Sequence, residues 1–444
     1  MRKPTHGPES GQILTIVAVM LLAMLAILGL VVDSGLTHAT RRQARRAADA
    51  AAQAGACSLC LGTNTTQMAD ARAAAIQYAG LNGVNTNGNV LVQVPPGAGS
   101  GSAYAGSNGY IFVQVTLPVG ITFMRLFTTQ RTVNVTAAAT AGTAPTPVPV
   151  TLQALNPTRH DALDVSGNAR INLPSGAIAV NSSMNDAISI SGNARITASA
   201  INVTGDVSGP ESHITGQLNT GVPTPSDPLT NVDEPRITSS SQVTYPDGYT
   251  PNNTSLDSGG TALSPVTKSI GANTTATLNP GIYWGGISLS GNATVTFRPG
   301  RYVLAGGGLH ISGNASASGT NVFFYNTRDP YSGGGAAAYG SIDITGNGTI
   351  NLKAPTVSFD PVYGGLLIFN DRANTEDINL TGNGSTGGTT GFIYGKSSEL
   401  SVSGNGSVGN LGAIVDHASF SGNATMNAPG VAYTPATRSV QLME

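Results

Sequence analysis

Apolar positions along this chain fall into distinct regimes. From Ile13 to Val32 runs a stretch of 20 residues without a charged side chain. Coiled as a helix it spans about 30 Å, one bilayer core. The run exceeds the roughly 7–15 residues of a secretory leader, and helix-favouring sequence continues past it, so a retained anchor is preferred over a cleaved signal or a buried core helix. Beyond it, HATRRQARRAADAAAQAGA predicts further helix, with Ala47, Ala50, Ala51 and Ala54 at spacings of three and four. Such a stripe of small residues lets helices approach closely, and it is read here as a face for packing against another subunit. A second helix is predicted over Thr66–Ala79, capped by Thr66 and stopped by Gly80.

After a Pro- and Thr-rich stretch (142–157), read as a stiff linker, the pattern changes to a period of two. One phrase recurs: apolar, any, apolar, Ser or Thr, Gly, Asn, then Ala or Gly. Counted from the Ser/Thr, its copies start at 166, 191, 290, 312, 345, 381, 403 and 421. The shorter intervals, 18–25 residues, suit one turn of a parallel solenoid, and those of 33 and 36 a turn with an inserted loop. The 99-residue interval is expected to hold degenerate turns and a Pro-rich excursion near 209–265. Positions −3, −1, +3 and +5 form an inward face, and Gly-Asn provides a bend, since both residues tolerate positive φ. Stacking brings Asn168, Asn193, Asn292, Asn314, Asn347, Asn383, Asn405 and Asn423 into one hydrogen-bonded ladder. An antiparallel sandwich with repeated hairpins is the competing architecture; recurrence of the whole phrase, beyond its turn, favours the solenoid. The predicted fold is mainly β: a right-handed parallel β-helix over 158–444, preceded by a tail and transmembrane helix (1–35) and a small α+β region (36–141).

Composition narrows the function. Only 10% of residues are charged and net charge is −2, so no basic surface exists for nucleic acid. Six of the 21 basic residues, Arg2, Lys3, Arg41, Arg42, Arg45 and Arg46, gather around the apolar run. Four of them follow it, so a positive-inside count by itself opposes export of the remainder. Low charge and abundant Ser, Thr, Asn and Gly favour export. Cys57 and Cys60 are the only cysteines. A local disulfide and free thiols both remain open.

Several segments resemble the TadE/TadG-like proteins of the Flp (Tad) pilus assembly system. They are Gly11-Gln12 before the apolar run, VVDSG (Val31–Gly35), RRQARRAADAAAQAGA (Arg41–Ala56), AAAIQYAGLNGV (Ala73–Val84), VQVPPGAGS (Val92–Ser100) and VQVTLPVGITFMRLFTTQRTVNVTAAATA (Val113–Ala141). Residues 278–327 also resemble β-helical regions attached to such segments. The resemblance implies a single-pass protein of the bacterial inner membrane, its N-terminus cytoplasmic and its bulk periplasmic or extracellular. Other Tad pilus or envelope subunits are the implied partners. Ile16 stands where related pseudopilins carry the Glu read by prepilin peptidase, so processing after Gly11 does not carry over.

Parallel β-helices include polysaccharide lyases and hydrolases, and inverting hydrolysis needs two carboxyl groups about 6.5–9.5 Å apart. The candidate carboxylates are Asp343, Asp360, Asp371, Glu376 and Asp377, and only Asp371–Asp377 forms a cluster. His310 and His417 lie near the phrase without an evident carboxylate to orient them. No cofactor or metal motif is present. The expectation is therefore a structural or adhesive, non-enzymatic envelope protein whose polar wall binds glycans or another surface; a polysaccharide-active enzyme is the alternative.

Overall fold

In the computed structural model, described residues are 10–59, 65–107, 109–126, 129–147, 150–230, 232–239, 242–245, 261–331, 338–383, 388–428 and 436–443. The chain divides into two compact units, Met1–Ala144 with Arg438–Glu444, and Pro145–Thr437.

In the first unit, helix α1 (Ser10–Leu59) joins the apolar run and the Ala-rich segment without a break. Helix α2 spans Thr65–Leu81. Strands β1 (Val90–Gln93), β2 (Tyr110–Gly120) and β3 (Thr132–Pro147) form an antiparallel sheet, whose fourth strand, Ala436–Met443, lies beside β3. The whole second unit is thus inserted in the chain between two neighbouring strands. Ala44, Ala47, Ala48, Ala51 and Ala52 are fully buried, in one cluster with Ala71 and Ala75 of α2 and Ile111 and Val113 of β2. Methyl-sized side chains let helix and sheet backbones approach closely, and they leave little large apolar surface on this face to fill with anything else.

The second unit is a parallel β-solenoid. Its inward positions follow the two-residue period: Leu163, Val165, Ala169 and Ile171 in one turn, Ile188, Ile190, Ala194 and Ile196 in the next, all at most 3% exposed. The expected linker is shorter than its composition suggests. Strand β3 runs to Pro147, and β4 (Leu152–Ala154) already belongs to the solenoid.

The order of the turns departs from the order of the sequence. Strands β5 (Leu163–Val165), β6 (Arg170–Val180), β7 (Ile188–Ile190) and β8 (Arg195–Val203) stack on the last turn rather than beneath the first interval of the repeat. Leu163–Val165 pairs with Ala418–Phe420, and Arg170–Asn172 with Thr425–Asn427. Strand β4 pairs with Ala413–Val415 on one side and Ile178–Val180 on the other. It therefore closes the turn that strands Leu411–Phe420 and Thr425–Asn427 begin. Read along the stack, the corner asparagines run 273, 292, 314, 347, 383, 405, 423, 168, 193. Amide hydrogen bonds of 2.6–3.1 Å join each neighbouring pair except 314 and 347, where the Asn347 N–H meets the Gly313 carbonyl at 2.7 Å.

The glycine of each corner has two reasons to be glycine. At Gly346 φ is +102°, and a Cβ would fall on the Gly313 carbonyl of the neighbouring turn. Asn273 marks a turn that the sequence pattern does not reveal, because Ala272 stands in the glycine position with φ +53°. An L-residue held there costs about 1–2 kcal/mol. Ala272→Gly should therefore raise stability by about 0.5–1 kcal/mol in urea denaturation, glycine's greater freedom in the unfolded chain offsetting part of the relief. An unchanged or lower midpoint would refute that account.

The 99-residue interval contains this turn, a short one from β9 (Val207–Ser208) and β10 (Ile214–Asn219), and a strap that returns along the stack. The strap covers the outward side chains of one solenoid face. Trp284, Val303, Phe323, Tyr325, Phe369, Phe392 and Ile414 form a second buried cluster with Leu229, Tyr245 and Ala262. These strands are apolar on both faces, so their alternation is lost from the sequence.

Candidate functional site

Three features carry candidate function: the anchor, the outward ledge of the solenoid, and the strap.

In the anchor, the large apolar side chains from Leu14 to Val32 are exposed along α1; Leu22 is 68% exposed. Ile13 belongs to the helix, but its side chain lies outside the described residues. On one stripe, Gly29 and Asp33 are buried against the β2–β3 connection. The Asp33 carboxylate accepts the backbone N–H groups of Thr122, Phe123 and Met124 at 3.0, 2.9 and 2.7 Å. Ala47 and Ala51, expected to face another subunit, are buried within their own unit, while Ala50 and Ala54 are half-buried. The spacing argument identifies a close-packing face; it cannot tell whose chain fills it. Cys57 is exposed near the end of α1, and Cys60 lies outside the described residues.

The ledge consists of outward residues on the face that precedes the Asn corner. Register places Ser269, Ser288, His310, Asp343, Asn379, Ser401, Ser419, Asp164 and Ser189 in one column. Both histidines have carboxylate partners, contrary to the sequence reading. His310 Nδ1 is 2.9 Å from Asp343, which also accepts from Ser341 Oγ and Asn379 Nδ2. His417 has Asp416 at 2.9 Å from Nδ1 and Glu399 at 2.9 Å from Nε2, and Ser419 donates to Glu399. The signal was present in the repeat frame: His310 and Asp343 both occupy position −2, and Glu399 and His417 both occupy position −4. Only the stacking order shows which copies are neighbours.

The ledge divides electrostatically. Burial opposes ionisation of Asp416, yet hydrogen bonds from His417 and Asn156 outweigh it and hold its carboxyl below the ordinary range. Asp343 is lowered in the same way, by Ser341, Asn379 and His310. Asp164 is pushed up by burial and by the charge of Asp161, and Asp377 by burial and the charge of Glu399. A carboxyl raised on folding favours the folded state below its unfolded pKa, and that advantage fades as pH rises through the folded value. Asp164→Asn should therefore raise Tm at pH 7, with the gain shrinking toward zero below the ordinary value of 3.8. An equal gain at pH 7 and pH 3 would remove the electrostatic explanation.

The candidate carboxylates Asp360 and Asp371 bond to the wall beside the strap. Asp360 forms a buried two-pronged pair with Arg301, at 2.7 and 2.8 Å. Asp371 accepts from the Tyr325 hydroxyl and from Thr327 Oγ1 at 3.3 and 2.8 Å. Its neighbour Arg372 donates to the Leu229 and Val232 carbonyls at 2.8 and 2.7 Å and pins the strap. The Asp371–Asp377 cluster thus separates: Asp371 bonds to the wall, Arg372 holds strap and wall together, Glu376 is exposed, and Asp377 belongs to the ledge. A cleft of about 180 Å³ lies between Glu234, Arg236, Arg328 and Asp371. Burial raises the Glu234 carboxyl, although the Arg372 N–H binds it.

Comparison with known proteins supplies one match: residues 11–58 fit the Tad family, described as Flp pilus-assembly TadE/G-like. No curated protein and no solved structure matched. The matched residues begin just before the apolar run and end one residue short of the end of α1. They cover all but the end residues of the only described helix long and apolar enough to cross a membrane, with the Asp33 carboxylate and the Ala stripe. The chain therefore carries a TadE/G-like Flp pilus-assembly domain at its N-terminus, joined to a parallel β-solenoid.

Proposed function

We propose that this protein is a single-pass envelope component of a Tad (Flp) pilus system that displays its solenoid outside the inner membrane. Its work is assembly and surface contact without turnover. The observation that carries this reading is the coincidence of the family match with the membrane-length helix, fused to a solenoid wall built of small polar side chains. Several candidate carboxylates are committed to structure, Asp360 to Arg301 and Asp371 to Tyr325 and Thr327, which supports a non-enzymatic wall. The ledge offers rows of Ser and Asn hydroxyls and amides; such rows suit the hydroxyls of a glycan. Antibody labelling of purified pili, with imaging of a deletion strain, tests the proposal. Loss of piliation or of surface adhesion is expected, and a strain normal in both overturns it.

A second reading, a polysaccharide-active solenoid, draws on the Glu399–His417–Asp416 constellation with Ser419 beside it. New reducing or unsaturated sugar ends that appear with the parent protein and vanish in Glu399→Gln would establish it.

A further inference from the structure

We propose that the start of the connection between β2 and β3, residues 121–126, is a second membrane contact, entering the apolar layer beside α1 on the side of the folded unit. The inference rests on α1 spanning the bilayer. The segment reads ITFMRL. Phe123 is 38% exposed, yet it sits directly on Gly29, where any Cβ would overlap it. Gly29 precedes the end of the apolar run at Val32 by three residues, about 4.5 Å along a helix. Phe123 is therefore level with the lipid-facing part of the anchor, the stretch in which Ile27, Leu28, Leu30 and Val31 are exposed.

Irregular backbone can leave water only where its polar groups are satisfied within the protein. The N–H groups that open the turn meet that condition. The three N–H groups at the start of the turn, those of Thr122, Phe123 and Met124, all end on the one Asp33 carboxylate. Thr37 Oγ1 in turn donates to the Asp33 carbonyl at 2.8 Å. Arg125, exposed in the short helical turn, and Arg131, exposed just before β3, have the length to carry their charges to lipid phosphates while their stems stay apolar. A single exposed Phe would mean little. Its continuity with the apolar span and the three N–H groups collected by Asp33 beside it point to lipid as the occupant of this face.

The test uses the full-length protein in phosphatidylcholine vesicles containing brominated lipids. The native Trp284 is 1% exposed within the solenoid and provides a constant background. Two variants are compared, Phe123→Trp and, as a marker of the span, Leu22→Trp. Added emission from both should be quenched, Leu22→Trp best by bromines near the bilayer centre and Phe123→Trp best by bromines near the glycerol level. If Leu22→Trp is quenched and Phe123→Trp responds only to aqueous acrylamide, the loop lies in water and the inference falls while the anchor stands. If Phe123→Trp responds to neither quencher, the face is covered by protein, a second copy or a partner, and the inference falls as well. If Leu22→Trp escapes lipid quenching, the spanning reading fails and takes the inference with it.

Discussion

Arg301→Met should destabilise the solenoid by about 3–5 kcal/mol, the cost of leaving a buried charge without its partner. Arg301 and Asp360 are each 3% exposed, and their two hydrogen bonds form a planar fork. The guanidinium also lies between the rings of Tyr245 and Tyr363, 4.7 and 4.8 Å from their centroids. Methionine fills similar space but abandons the Asp360 carboxylate, whose remaining donors include the backbone N–H groups of Val362 and Tyr363. Urea denaturation should show the loss as a lower midpoint. The double variant Arg301→Met, Asp360→Leu should recover part of it, because removing both charges abolishes the unpaired one. A loss below about 1 kcal/mol in the single variant would mean that water reaches the site. Tyr245 belongs to the strap, so proteolysis of the strap should quicken in the same variant.

Phe420→Ala should cost about 3–5 kcal/mol, as expected for emptying a fully buried aromatic position. Where the loss appears matters more than its size. Phe420 is 0% exposed and pairs in register with Val402 on one side and Val165 on the other. In a solenoid stacked in sequence order, residue 420 would sit at an end and loosen only residues near it. In this structure it lies inside the stack, at a junction spanning 255 residues of sequence, the separation of Asn168 and Asn423. Stacked turns interact chiefly with their neighbours, so the damage follows the stack. Hydrogen exchange should therefore rise together in 152–180 and in 400–428. Increased exchange confined to 400–428 would refute the junction.

Most of the inward face was legible because it depends on a local rule. Alternation places Ile188 and Ile190 inside whichever turn lies beside them. The order of turns was illegible for the same reason: every copy presents nearly the same edge of Ser, Gly and Asn, and hydrogen-bonding edges carry no record of distance along the chain. The turn at Ala272 escaped notice because one methyl group disguises the corner. The partners of His310 and His417 depended on turn order and were hidden with it. Asp360 was visible as a carboxylate, but its Arg301 partner comes from another turn 59 residues away. The Ala stripe shows the limit of spacing most plainly, since Ala47 and Ala51 pack as small residues do but against their own chain.

The insertion of the solenoid between β3 and the Ala436–Met443 strand has a consequence for biosynthesis. A ribosome makes α1 and three strands of the small sheet first, and the fourth only after the entire solenoid. Until then the outer edge of β3 presents unpaired N–H and carbonyl groups, the kind of edge that invites wrong partners. The sheet therefore registers whether translation has passed the last turn: a chain interrupted anywhere in the solenoid keeps an open edge, and a finished one covers it.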